Sequence, residues 1–173
     1  MREATTRDRI VALMEELVKH APRRGAYRVY LVGGGTAVYR GWRASSIDVD
    51  LYSADGVVFK DIQAIKERLN INIEFARPED FVPPLRGSSG RHVLIETRAT
   101  ISFYHYDPYA QVFSKVVRGF ERDLDDARQF VSHGMVDPQK LKSLVEAVPD
   151  SAYARYPNLT RTAVEAAIDD FVR

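Results

Sequence analysis

The chain has 173 residues, 45% of them hydrophobic, with a formal net charge of +1, four histidines and no cysteine. That length supports one substantial core with room for a small helical lobe, and the lack of Cys rules out disulfides and thiolate metal sites. The N-terminal MREATTRDRI is charged and lacks the apolar core of a secretory signal, and no apolar run reaches membrane-spanning length. The expected location is therefore cytoplasmic, with no membrane partner.

Ile10, Leu13, Met14, Leu17 and Val18 recur at helical spacing after possible caps at Thr5 and Thr6, and predict a first helix that ends across Ala21 to Gly25. A strand through Tyr27 to Val32 leads into Gly33, Gly34, Gly35 and Thr36, followed by a short helix near Ala37 to Gly41. A strand from Ile47 to Tyr52 comes next. Alternation on it sends Ile47, Val49 and Leu51 into a core and Asp48 and Asp50 together to the other face, roughly 7 Å apart. Phe59 to Leu69 reads as helix and Ile71 to Ala76 as strand, with Ile71, Ile73 and Phe75 buried and Asn72 and Glu74 opposite.

Pro83, Pro84, Gly87, Ser88, Ser89 and Gly90 mark a loop, either a passive connector or a place for a substrate strand beside Arg86 and Arg91. His92 to Thr97 and Thr100 to Tyr106 form a strand pair that completes a mixed sheet. Asp107 and Pro108 then open a helical stretch reaching about Ser132, with a bend expected at Gly119 and a stop at Gly134. Asp137 and Pro138 repeat the start signal, and Thr162 with Glu165 has the pattern of a capping box before the last helix. The fold class is α+β, a mixed sheet flanked by helices over residues 1–106 and a helical region over 107–173, packed as one compact unit.

Paired carboxylates on one strand repel and call for a cation; oxygen donors of this type suit Mg²⁺ or Mn²⁺, which bind through a few carboxylates, waters and nucleotide phosphates. The motif alone is weak. Fourteen aspartates in 173 residues give about one D-x-D by chance, and a second, Asp123 and Asp125, is present. The preceding glycine turn adds weight, because glycines let backbone N–H groups approach a phosphate. Neither the Walker pattern nor G-x-G-x-x-G is met, since Gly41 is followed by Trp42 and Val38 stands where the third glycine belongs.

Gly34, Gly35 and Thr36 followed by Asp48, Val49 and Asp50 resemble the signature of the nucleotidyltransferase superfamily that includes DNA polymerase β. Within it, G-G-T-A and the Arg43 to Asp48 lead-in look most like the AbiEii-type toxins, and DPYAQVFSKVVRGFERDLDDARQFV is similar to their helical motif. The resemblance implies a Mg²⁺-dependent transfer of a nucleoside monophosphate from an NTP, ATP among them, to a hydroxyl. Asp48 and Asp50 would hold metal, Glu74 would be the third carboxylate, Gly34, Gly35, Thr36 and Arg43 would bind nucleotide, and Lys115 would lie near the triphosphate. The implied acceptor is an RNA 3′ end, tRNA above all, in a toxin-antitoxin or phage-defence system with a cognate antitoxin. The alternatives are modification of a protein hydroxyl and a non-catalytic nucleotide-binding member.

Other residues carry simpler readings. Gln111, Lys115, Arg118 and Arg122 form a polar stripe, solvated and laced with ion pairs for all but Lys115, with Arg122 and Asp126 as a structural pair and Asp107 as a cap. Tyr104 and Tyr106 are candidates for stacking on a base or for the core. His20, His92, His105 and His133 make no metal spacing and read as packing residues.

Overall fold

The computed structural model describes residues 2–173, and its secondary structure is mixed α+β. The strands are β1 (Thr5–Thr6), β2 (Tyr27–Val32), β3 (Ser45–Ser46), β4 (Asp48–Tyr52), β5 (Asn72–Phe75), β6 (Val93–Arg98) and β7 (Ile101–His105). The helices are α1 (Arg7–His20), α2 (Gly34–Tyr39), α3 (Ile62–Leu69), α4 (Pro108–Arg118), α5 (Glu121–Ser132), α6 (Pro138–Glu146) and α7 (Arg161–Val172). Two compact units result. One holds the described residues up to Arg77 with Val93–His105, and the other holds Pro78–His92 with Tyr106–Arg173.

The first unit is built on a five-stranded sheet of order β5-β4-β2-β7-β6, in which β2 runs antiparallel to β4 and parallel to β7. Its inner face is made by alternate residues: Val29 and Leu31 of β2, Val49 and Leu51 of β4, Ile73 of β5, Ile101 and Phe103 of β7. Ile10, Leu13, Met14 and Leu17 of α1 and Ile65 of α3 join them in one buried cluster. Each such aliphatic side chain, fully buried, contributes on the order of 1.5 to 3 kcal/mol, so the register of β4 is strongly fixed. A slip of one residue would put Asp48 and Asp50 into this core.

Two expected core residues lie outside it. Ile47 is 70% exposed, because β4 begins only at Asp48 and Ile47 sits in the link from β3. Phe75 is 53% exposed, at the end of the edge strand β5, where it packs on Phe59 with ring centroids 4.8 Å apart. A small antiparallel pair, β1 with β3, matches Thr5 to Ser46 and Thr6 to Ser45. Thr6 is also the N-cap of α1, accepting from Arg9 N at 3.4 Å. Helix α2 starts at Gly34, three residues earlier than expected, and α3 starts at Ile62 after a 3-10 turn at Gly56–Phe59.

In the helical unit the stretch after Asp107 is two helices, not one bent helix. Gly119 at φ +74° closes α4, a left-handed cap that glycine adopts without strain, and α5 starts at Glu121. The last helix begins at Arg161 and is capped by Thr160, whose hydroxyl accepts from Ala163 N, rather than by Thr162. Helix α4 is buried along nearly its whole length: Gln111, expected on a solvated face, is buried, and so is Lys115. Gln111 is satisfied by donating to Tyr106 O at 2.9 Å, and Lys115 by Asp126. Asp126 of α5 thus pairs with Lys115 of α4.

The segment 78–92 is anchored by Arg91, whose Nη2 donates to Asp107 Oδ2 at 2.8 Å and whose Nε reaches Oδ1 at 3.1 Å. Asp107, fully buried, also caps α4 by accepting from Tyr109 N, while its own N–H donates to His92 Nδ1. Arg91 is therefore held by a forked, charge-assisted pair inside the protein and is not offered to a substrate strand. Removing one member of such a pair leaves the other charge buried. Asp107→Ala should lower the unfolding free energy by about 3 kcal/mol or more, read as a drop in urea midpoint with little change in slope.

Candidate functional site

The site lies in the first unit, where β2 ends in a turn that only glycine adopts without strain. Gly33 has φ +56° and ψ −126°, and a Cβ built on it would stand 2.7 Å from Asp50 Oδ2. The bare backbone is what allows the turn to lie against the Asp50 carboxylate. At Gly34 a Cβ would meet Ser46 Oγ at 2.6 Å and Arg43 Nη2 at 2.8 Å, so both side chains close over this glycine. Gly35 faces inward, with Val49 Cγ1 3.5 Å from its ideal Cβ position. The two outer glycines, Arg43, Ser46 and Asp50 are thereby brought together.

On β4, Val49 and Leu51 are fully buried while Asp48 and Asp50 are partly exposed on the opposite face, as alternation requires. Strand β5 runs parallel beside β4 with Asp48 opposite Asn72 and Asp50 opposite Glu74. Asn72 Nδ2 donates to Asp48 Oδ1, which orients that carboxylate. Glu74 is exposed. Among the described residues no three His, Cys, Asp or Glu side chains form a metal-holding cluster, so Asp48, Asp50 and Glu74 share a face without converging as a triad. Two carboxylates on one strand beside a glycine turn fit an ion of the Mg²⁺ type, which takes one or two protein carboxylates and completes its shell with water and substrate phosphate.

Thr36 and Lys115 have partners of their own. Thr36 is fully buried and its hydroxyl donates to Leu31 O at 3.2 Å. Having spent its proton there, Thr36 Oγ1 accepts from His105 Nδ1–H at 3.1 Å. The hydroxyl braces the glycine turn from behind. In the helical unit Lys115 Nζ lies 3.0 Å from Asp126 Oδ2 and 3.6 Å from Asp123 Oδ1, with its side chain only 7% exposed.

Sequence reasoning passed over Ser46 and His105. Ser46 carries no motif, and its place follows from the pairing of two short strands far apart in the chain, β1 with β3. His105 read as ordinary packing, yet it ends β7 directly behind the turn, with the Tyr39 ring edge-on at 5.6 Å. Burial, reinforced by the charge of Arg40, lowers its pKa from 6.5 to about 3 and keeps the ring neutral.

The comparisons with known proteins bear on this geometry. A family model described as "nucleotidyltransferase of unknown function" (DUF6036) matches residues 8–172. The chain belongs to this family. No curated protein and no solved structure matches it. For this nucleotidyltransferase family member, the matched span includes the glycine turn, both strand aspartates and the chain from the second residue of α1 to the last of α7. No helix among the described residues is long and apolar enough to cross a membrane.

The neutral His105 makes stability pH-dependent in a defined direction. Its folded pKa of about 3 lies below its unfolded value near 6.5, so between these limits the unfolded chain binds more protons and stability falls as pH falls. Above the upper limit the contribution is level. In His105→Gln, which keeps a donor for Thr36 but does not titrate, urea titrations should show a shallower acid-side loss. The difference in slope is expected to be up to about 1.4 kcal/mol per pH unit.

Proposed function

We propose that this protein transfers a nucleoside monophosphate from an NTP, with ATP as one candidate donor, to a hydroxyl acceptor and releases pyrophosphate. The observation that carries the proposal is the contact between the Gly33 turn and the Asp50 carboxylate, with Asp48 on the same face of β4. Phosphoryl chemistry needs positioning and charge neutralisation more than covalent participation. In this reading Asp48 and Asp50 hold Mg²⁺ or Mn²⁺, and the cation supplies charge neutralisation on the phosphates and acidification of the attacking hydroxyl. Gly33 and Gly34 present the turn's backbone to the triphosphate and Arg43, which flanks Gly34, donates to its oxygens, while Gly35 lets the turn pack on Val49 and Ser46 Oγ donates to Asp48 O at 2.8 Å.

The acceptor oxygen forms a bond to the α-phosphorus as the α–β phosphoanhydride bond breaks, and pyrophosphate leaves with that electron pair. The hydroxyl proton passes to a carboxylate on this face, for which Glu74, in register with Asp50, is the candidate base. Lys115 is given the role of matching Asp126 and Asp123 inside the helical unit, because an ammonium with two carboxylate partners is already neutralised. The likeness of the G-G-T-A wording to AbiEii-type toxins extends the proposal to an RNA 3′ end, tRNA first, and to a growth-arresting toxin with a cognate antitoxin.

Purified protein incubated with each α-labelled NTP, Mg²⁺ and total RNA tests this. Label is expected on RNA, abolished by Asp50→Ala without loss of thermal stability, since that change removes a repelling charge from an open face. Glu74→Gln should reduce kcat while leaving nucleotide affinity near wild type. Label on protein in place of RNA moves the acceptor assignment to a protein hydroxyl. Full turnover by Asp50→Ala overturns the proposal.

A further inference from the structure

The face of the sheet that carries Asp48 and Asp50 continues into a row of three tyrosines. Tyr52 lies two residues beyond Asp50 on β4 and so on the same face, roughly 7 Å along the strand. Tyr30 of β2 is directly opposite Tyr52, and Tyr104 of β7 directly opposite Tyr30. Their ring centroids are 5.9 and 5.5 Å apart, with planes tilted by 32° and 30°. Each end of the row carries a guanidinium: Arg77 lies 5.0 Å from the Tyr52 ring and donates to its hydroxyl at 3.2 Å, and Arg28 lies 5.6 Å from the Tyr104 ring.

The two ends of the row are open: the middle ring, Tyr30, is buried between its neighbours at 8% exposure, whereas Tyr52 and Tyr104 are half-buried, Arg28 is exposed and Leu94, opposite Tyr104 on the edge strand β6, is 56% exposed. The row is too long for one nucleobase, and its chemistry is that of a nucleic-acid strand in negative: phenol hydroxyls and guanidinium N–H groups for phosphate oxygens, ring faces for bases. An exposed arginine resting on a tyrosine can move to a phosphate and leave the ring face to a base, exchanging one π contact for another.

Resting on the transfer reading above, we infer that this row is the acceptor track, on which the last unpaired nucleotides of a single-stranded RNA lie with the terminal hydroxyl directed to Asp50. A duplex does not fit it, because paired bases keep their faces stacked on each other and offer none to a tyrosine.

The test separates acceptor binding from nucleotide binding. A fluorescein-labelled single-stranded oligoribonucleotide, and the same strand annealed to its complement, are titrated with protein by fluorescence anisotropy, without NTP or divalent cation. A fluorescent NTP analogue with Mg²⁺ is titrated separately. The single strand should bind more tightly than the duplex. Tyr104→Leu should weaken it by roughly tenfold, the effect of losing one stacked base. Arg28→Ala, at an exposed position that does not threaten folding, should lower the salt slope of log Kd by about one. Both variants should bind the NTP analogue as wild type does. Unchanged RNA binding in both variants, or equal affinity for duplex, overturns the acceptor track and leaves the transfer reading in place. Absence of NTP binding by wild type with variant-sensitive RNA binding removes the transfer reading and keeps the track as an RNA-binding surface.

Discussion

Alternation along five residues of β4 is the constraint on which this protein depends. Val49 and Leu51 are completely buried against α1 and α3, and that burial leaves Asp48, Asp50 and Tyr52 no direction but the opposite face. The acidic pair is held by the hydrophobic side of its own strand. Such a site tolerates the repulsion between its carboxylates because relieving it would require a register slip, and a slip would bury both charges and expose both aliphatic side chains. The neighbouring strands take the same register, which places Asn72 and Glu74 beside the aspartates, Tyr30 beside Tyr52 and Tyr104 beside Tyr30.

The glycine turn is the second fixed element, and it is supported from the side away from the aspartates. Gly33 adopts its positive φ at the end of β2, Thr36 ties the first turn of α2 back to Leu31, and His105 donates to Thr36 from the end of β7. A charged imidazolium would carry both ring nitrogens as donors into a buried position beside Arg40, so the turn's geometry and the neutrality of His105 are one condition. His105, buried behind the turn, thus sets how firmly the turn is held.

Much of this arrangement is legible in the sequence, and the parts that are not have physical reasons. The strand, the turn and the aspartates announce themselves because period two and glycine conformational freedom are local properties. Ile47 and Phe75 were expected inside because alternation says nothing about where a strand starts or whether it lies at an edge. Lys115 reads as a surface or ligand-binding cation, since its partner Asp126 lies on another helix and the pairing depends on the break at Gly119. The two D-x-D motifs make the same point about context. On β4 the aspartates share a face, whereas on α5 a spacing of two residues turns them about 200° apart. There Asp123 meets Lys115 and Arg118, and Asp125 meets Arg128. The residues are alike and the chemistry is set by the backbone beneath them.

In the proposed reading, the same face has to receive a triphosphate next to Asp48, Asp50 and Glu74, and these charges repel it. Arg43 offsets part of that repulsion at Gly34, on the turn side, but it is a single cation against several anionic oxygens. Nucleotide affinity and divalent-cation affinity are then tied to each other: whatever brings a cation to the aspartates strengthens the nucleotide, and by linkage the nucleotide strengthens the cation to the same degree. The acceptor strand, approaching from the tyrosine row with Arg28 and Arg77 at its ends, meets its own cations and is free of that coupling. One sheet face therefore separates two kinds of anion recognition, a cation-dependent one at the aspartates and a guanidinium-and-ring one two residues further along the strand.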